Sequence, residues 1–133
     1  MKWILIVISL LILVGIVWNA ICKKIDEGKI QNAYGDSVPI KGKRMVVEIV
    51  GEQHVGPSII LLRGLGETSP VLEFRPLASE LSKKYKVITI EPFGYGLSDG
   101  TKRERTIENI VEELHECVKS LGEEEYYLMG HSI

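Results

Sequence analysis

An apolar run, Tyr126-Tyr127-Leu128-Met129, leads directly into Gly130-His131-Ser132. These are the first three residues of the pattern G-x-S-x-G, in which a serine sits on a strained strand-to-helix turn with its hydroxyl lifted above the sheet. Glycines flank such a serine because the turn is expected to bring backbone segments too close for side chains. Alone the triplet decides little, and its context carries the weight. A serine hydroxyl is a poor nucleophile until a histidine takes its proton and an acid orients that histidine. His131 is adjacent, but neighbours on a sharp bend point in different directions, so it is not expected to be that base. His54, in the polar turn 51–57, reads as a solvated loop residue, and Tyr95, between Gly94 and Gly96, as loop packing. Cys22 and Cys117 supply neither a disulfide framework nor a metal-ligand spacing, so no metal or cofactor is expected, and Cys117 reads as core.

The elements that must position Ser132 follow from hydrophobic period and turn residues. Ser37–Ile40 and Lys43–Val50 flank Lys41-Gly42, a two-residue connection that fits an antiparallel hairpin. Ser58–Arg63 is a continuous apolar run of strand length, as expected for a parallel strand buried on both faces. Two glycines follow it in Arg63-Gly-Leu-Gly-Glu-Thr-Ser69. A helix is then expected, with Pro70 in its first turn and a possible restart at Pro76. Lys86–Glu91 is a second buried strand ending in Pro-Phe-Gly-Tyr-Gly-Leu-Ser98. From about Thr106 to Leu121 an apolar stripe of Ile107, Ile110, Val111, Leu114, Cys117, Val118 and Leu121 predicts a helix with a continuous buried face. Glu108, Glu112, Glu113, His115, Glu116 and Lys119 are assigned to its solvated face. Tyr126–Met129 completes a β-α-β alternation as a third parallel strand.

Trp3 to Cys22 is a stretch without charge, and a helix of that length spans roughly 30 Å of hydrocarbon. Trp3 and Trp18 stand near its ends, and Lys2, Lys23 and Lys24 bracket it. The competing reading is a cleaved signal peptide. The run is longer than the usual signal core, and bulky Trp18 lies two residues before Ala20, so an uncleaved single-pass membrane anchor is preferred. Lys23, Lys24 and Lys29 outnumber Lys2 and the α-amino group, a bias toward a cytoplasmic catalytic side too small to fix the orientation. Residues 1–24 are therefore assigned to the anchor, 25–36 to a polar tether and 37–133 to a partial α/β domain. Hydrophobic residues make up 45% and charged residues 26% of the chain, which argues against wholesale disorder. The net charge of -2 gives no reason to expect a nucleic-acid partner.

Three segments, in order, resemble landmarks of the α/β-hydrolase family of esterases, lipases and prolyl-iminopeptidase-like peptidases. Arg63-Gly-Leu-Gly-Glu67 resembles its H-G-x oxyanion loop, Glu91-Pro-Phe-Gly-Tyr-Gly-Leu-Ser98 its D-x-x-G-x-G-x-S loop, and Gly-His-Ser-Ile133 its nucleophile elbow. The resemblance covers residues 37–133. It implies the N-terminal half of the hydrolase sheet, an antiparallel hairpin followed by parallel strands with crossover helices. It also implies Ser132 as nucleophile, the backbone N–H groups of Leu65 and Ile133 as the oxyanion hole, and a small-molecule acyl substrate. Two residues depart from the pattern, Arg63 in place of His and Glu91 in place of Asp. Both stand at carboxyl ends of neighbouring strands, so a charge-assisted pairing between them is expected. In this family the acid and the histidine follow the serine, so the chain by itself is expected to be inactive. The alternative is a non-catalytic membrane-anchored relic or a fragment that binds a partner through its sheet edge.

Overall fold

The computed structural model describes residues 2–30, 33–64, 66 and 68–132, which divide into a unit up to Ala33 and a second unit from Tyr34 onward. The first unit is one helix, α1, Lys2–Ile30. It is long and apolar enough over Ile6–Ile25 to cross a membrane, and its apolar side chains from Ile6 to Val17 are exposed. The helix runs on past Cys22 into the segment assigned to the tether. Lys23, Lys24, Asp26, Glu27 and Lys29 permit helix, and Gly28 alone is a poor former there.

The second unit opens with β1 (Asp36–Ile40) and β2 (Lys43–Val50), joined at Lys41 and Gly42. Both turn residues have positive φ, 51° and 73°, the backbone that matches the twist of a two-residue hairpin. Next come β3 (Ser58–Arg63), α2 (Pro70–Leu81), β4 (Val87–Glu91), α3 (Ile107–Ser120) and β5 (Tyr126–His131). The sheet order is β1-β2-β4-β3-β5, with β4, β3 and β5 parallel and the hairpin antiparallel to them. Alternation along the strands sorts the core into two layers. Ile60, Ile88 and Ile90 face Cys117 and Val118 of α3, whereas Ile59, Leu61 and Val87 face Phe74 and Ala78 of α2.

Local chemistry explains the helix ends. Ser69 caps α2, its hydroxyl accepting from the Leu72 N–H, and Pro70 takes the first turn. The helix does not restart at Pro76. Thr106 caps α3 by accepting from the Asn109 N–H, and Leu121 closes it.

Two sequence expectations for α3 are corrected. Glu113, assigned to the solvated face, is 2% exposed and lies 2.6 Å from Arg105 and 3.7 Å from Arg103. The loop after β4 brings these two guanidinium groups over the helix, and they bury the carboxylate. The apolar stripe is not buried throughout: Cys117 and Val118 are, but Ile107 is 76% exposed and Val111 is exposed too. Strand β5 forms an edge of the sheet among the described residues and is exposed along its length. Cys117 is core as expected, and its burial pushes the thiol up to about 12.

Two measurements follow. Ile60 is fully buried between β4 and β5, so Ile60→Ala should lower the urea-unfolding free energy by about 2–5 kcal/mol through lost transfer energy and cavity formation. Hydrogen bonds from Lys41 and Arg103 lower Glu112 from 4.5 to about 2. A lowered carboxylate contributes stability above its ordinary value and loses it as pH falls toward the folded value. The melting temperature should therefore fall between pH 4.5 and about 2, less steeply in Glu112→Gln, and the difference should shrink in 1 M salt because the pair is exposed.

Candidate active site

Parallel pairing sets the place of the serine. β3 and β5 align Leu62 with Gly130 and Arg63 with His131, so the two strands end level. One residue later Ser132 has φ of 63° and is exposed. Among the described residues, Ser132 and the hairpin Lys41 are the non-glycine residues at positive φ. Such a backbone costs on the order of 1–3 kcal/mol at a non-glycine residue and persists only where the surroundings impose it. The crowding expected at Gly130 is not found among the described residues, where a β-carbon would come no closer than 4.0 Å, to the Leu62 carbonyl.

The loop after β3 is fastened beside this bend. The Gly64 N–H donates to the His131 carbonyl at 2.8 Å, which carries the β3–β5 ladder one residue beyond the strands. The segment that begins at Gly64 therefore departs from a point next to Ser132. Leu65 and Ile133, expected to supply the oxyanion amides, lie outside the described residues. The His131 ring meets the Phe74 ring edge-on, with centroids 6.4 Å apart and planes at 86°. Arg63 lies over the same Phe74 ring. The other histidines are placed elsewhere. His54 is half-buried rather than solvated, its Nε2 2.9 Å from the Ser82 carbonyl, and His115 lies on α3. A cleft of about 590 Å³ opens beside Gly64, lined in part by Phe93, Tyr95, Thr101, Ile107 and Ile110.

The expected pairing of Arg63 with Glu91 is replaced by two separate contacts. Strand alternation turns both side chains toward α2, and the first turn of that helix takes each of them. Arg63 pairs with Glu73. Glu91, 0% exposed, accepts from Ser69 Oγ at 2.5 Å and Tyr34 Oη at 3.0 Å through Oε1, and from the Leu97 N–H at 2.7 Å through Oε2. Three neutral donors thus satisfy a buried carboxylate, as burial of such a group demands. Gly96 lies against it at φ of 48°, and a β-carbon there would overlap the Glu91 carboxylate. Ser98 completes the turn, its hydroxyl donating to the Glu91 carbonyl and accepting from the Val46 N–H. The glycines of residues 91–98 were legible in the sequence. The parts played by Ser69 and Tyr34 were not, because a serine and a tyrosine in polar segments carry no periodic signal.

A family model described as the alpha/beta hydrolase fold matches residues 57–133. The chain belongs to the α/β-hydrolase family. YbdG of Bacillus subtilis (strain 168) is 30% identical over 108 residues, which are 80% of this chain and 33% of that protein. Among solved structures, the hydrolase unit resembles CumD, a meta-cleavage product hydrolase from Pseudomonas fluorescens IP01, with a TM-score of 0.66 and 25% identity over 74% of this chain and 36% of that one. It also resembles the enol-lactonase from Burkholderia xenovorans LB400, with a TM-score of 0.66 and 24% identity over 73% of this chain and 37% of that one. The chain thus spans about a third of the length of these relatives.

The contrast between two glycines tests this packing. Gly42 has positive φ but nothing within 4 Å of an added β-carbon, so Gly42→Ala should cost only the backbone term, about 1 kcal/mol. Gly96→Ala adds overlap with Glu91 and should destabilise by distinctly more in chemical denaturation.

Proposed function

We propose that the whole protein is a membrane-anchored serine hydrolase that cleaves an ester, amide or similar acyl bond of a small molecule, with Ser132 as nucleophile. The observation that carries this reading is the backbone at Ser132. It adopts φ of 63° immediately after a parallel strand, one residue from the carbonyl that holds Gly64. In the proposed reaction the Ser132 hydroxyl attacks the acyl carbon, and the N–H groups of Leu65 and Ile133 stabilise the negative oxygen that forms. Each such donor typically contributes about 3 kcal/mol to the transition state.

The proton of Ser132 requires a histidine and an orienting acid. His54 is held at the Ser82 carbonyl, the His131 ring packs edge-on against Phe74 and His115 lies on α3, so the base and acid are assigned to sequence outside residues 1–133, in keeping with the third of its relatives' length that the chain spans. Helix α1 serves as the anchor, supported by its length and exposed apolar surface. The small-molecule substrate class agrees with the names of the enol-lactonase and the meta-cleavage product hydrolase, as those names describe those proteins. A second reading, a non-catalytic anchored module that binds a partner, is favoured by the exposed edge of β5, where Leu128 is 63% exposed.

The two readings separate in one assay. Purified full-length protein in detergent should hydrolyse a p-nitrophenyl ester, and Ser132→Ala should reduce kcat by at least about 10³-fold. The 133-residue chain alone should show no Ser132-dependent turnover. Hydrolysis by the full-length protein that survives Ser132→Ala would exclude this serine as nucleophile, and its complete absence would favour the binding module.

A further inference from the structure

We propose that Tyr34 is a positioning residue for the oxyanion segment. Through its hydroxyl, the chain that follows the apolar helix sets the place of the Glu91 carboxylate and of the Ser69 cap, and with them the end of the loop that leaves β3 beside Ser132. The proposal rests on the hydrolase reading.

The geometry begins with Gly35. Its φ is 69°, and a β-carbon there would come within 2.7 Å of the Val47 carbonyl and 2.8 Å of the Val46 side chain, so only glycine lets the chain enter β1 this close to β2. That close entry delivers Tyr34. Its ring lies under the Arg75 guanidinium, 5.8 Å from the ring centre, and Arg75 is held in turn by Glu48 at 2.7 Å. The hydroxyl then reaches two groups at once, Ser69 Oγ at 2.8 Å and Glu91 Oε1 at 3.0 Å. Burial of the ring and its neighbour Glu91 raise the phenol above its ordinary value, which keeps the donor protonated.

The two partners of Tyr34 act on two loops that touch each other. Ser69 caps α2, and Thr68 just before it accepts from the Gly96 N–H at 2.8 Å. Glu91 holds Leu97 through its second oxygen. The loop after β3 and the loop after β4 therefore meet at one carboxylate, and Tyr34 is the donor that comes from outside both. Removing one donor from a buried carboxylate leaves an uncompensated acceptor, so the loss is felt beyond the single bond.

The test compares Tyr34→Phe with the full-length protein in detergent, by amide hydrogen exchange and by p-nitrophenyl ester kinetics, with exposed Tyr85→Phe as control. Exchange in peptides covering residues 68–75 and 92–99 should rise about tenfold, and that of residues 107–120 should stay within twofold. Kinetically, kcat per active site, with active sites titrated by a fluorophosphonate, should fall about tenfold with KM within twofold, whereas loss of folded protein alone lowers the titre and leaves this kcat unchanged. Unchanged exchange in both peptides would overturn the proposal, as would faster exchange with unaltered kcat. If the unsubstituted protein shows no Ser132-dependent turnover, the hydrolase reading fails and the catalytic role of Tyr34 fails with it. The exchange data then still report separately whether Tyr34 holds the two loops.

Discussion

Parallel pairing of β4, β3 and β5 places the carboxyl ends of all three strands at one end of the sheet, and the Gly64 N–H donated to the His131 carbonyl fixes how closely β3 and β5 approach there. A parallel strand requires a crossover, here α2 and α3, so each loop that leaves a strand must turn over the same rim. The left-handed backbone at Ser132 is the final element on that rim. Without the β3–β5 register, Ser132 and the segment starting at Gly64 would have no reason to be neighbours.

A second constraint acts on the loops themselves. Glu91 is a carboxylate buried at the end of β4 on the α2 face, satisfied by hydroxyls from Ser69 and Tyr34 and by the Leu97 N–H. The extra methylene of Glu relative to Asp lengthens its reach toward the first turn of α2. Arg63, on the same face one strand away, meets Glu73 on that turn. The two departures from the family's pattern thus act on one helix instead of on each other. Both bind the start of α2 to the rim.

The elements were legible because they depend on local period and turn chemistry. Lys41-Gly42 announces the hairpin, the apolar runs at 58–63 and 87–91 announce buried strands, and three-and-four spacing announces α3. What was misread depends on contacts that no single segment encodes. Glu113 sits at a solvent-facing position by helical period, yet two arginines from the preceding loop bury it. The helix running on past Cys22 was hidden by polar composition, which marks solubility more than helix ends. The positive-φ bend at Ser132 falls where the motif predicts a tight turn. The network that braces the rim joins residues 34, 69, 91 and 97, too far apart in sequence for any periodicity to reveal.

The central claim is that Ser132 is chemically activated in the whole protein. Incubating the full-length protein with a fluorophosphonate and mapping the adduct by peptide mass spectrometry tests this without a known substrate. The account predicts a single stoichiometric adduct on the Ser132 hydroxyl, absent after heat denaturation. An adduct on another residue, or none on the folded full-length protein, would contradict it.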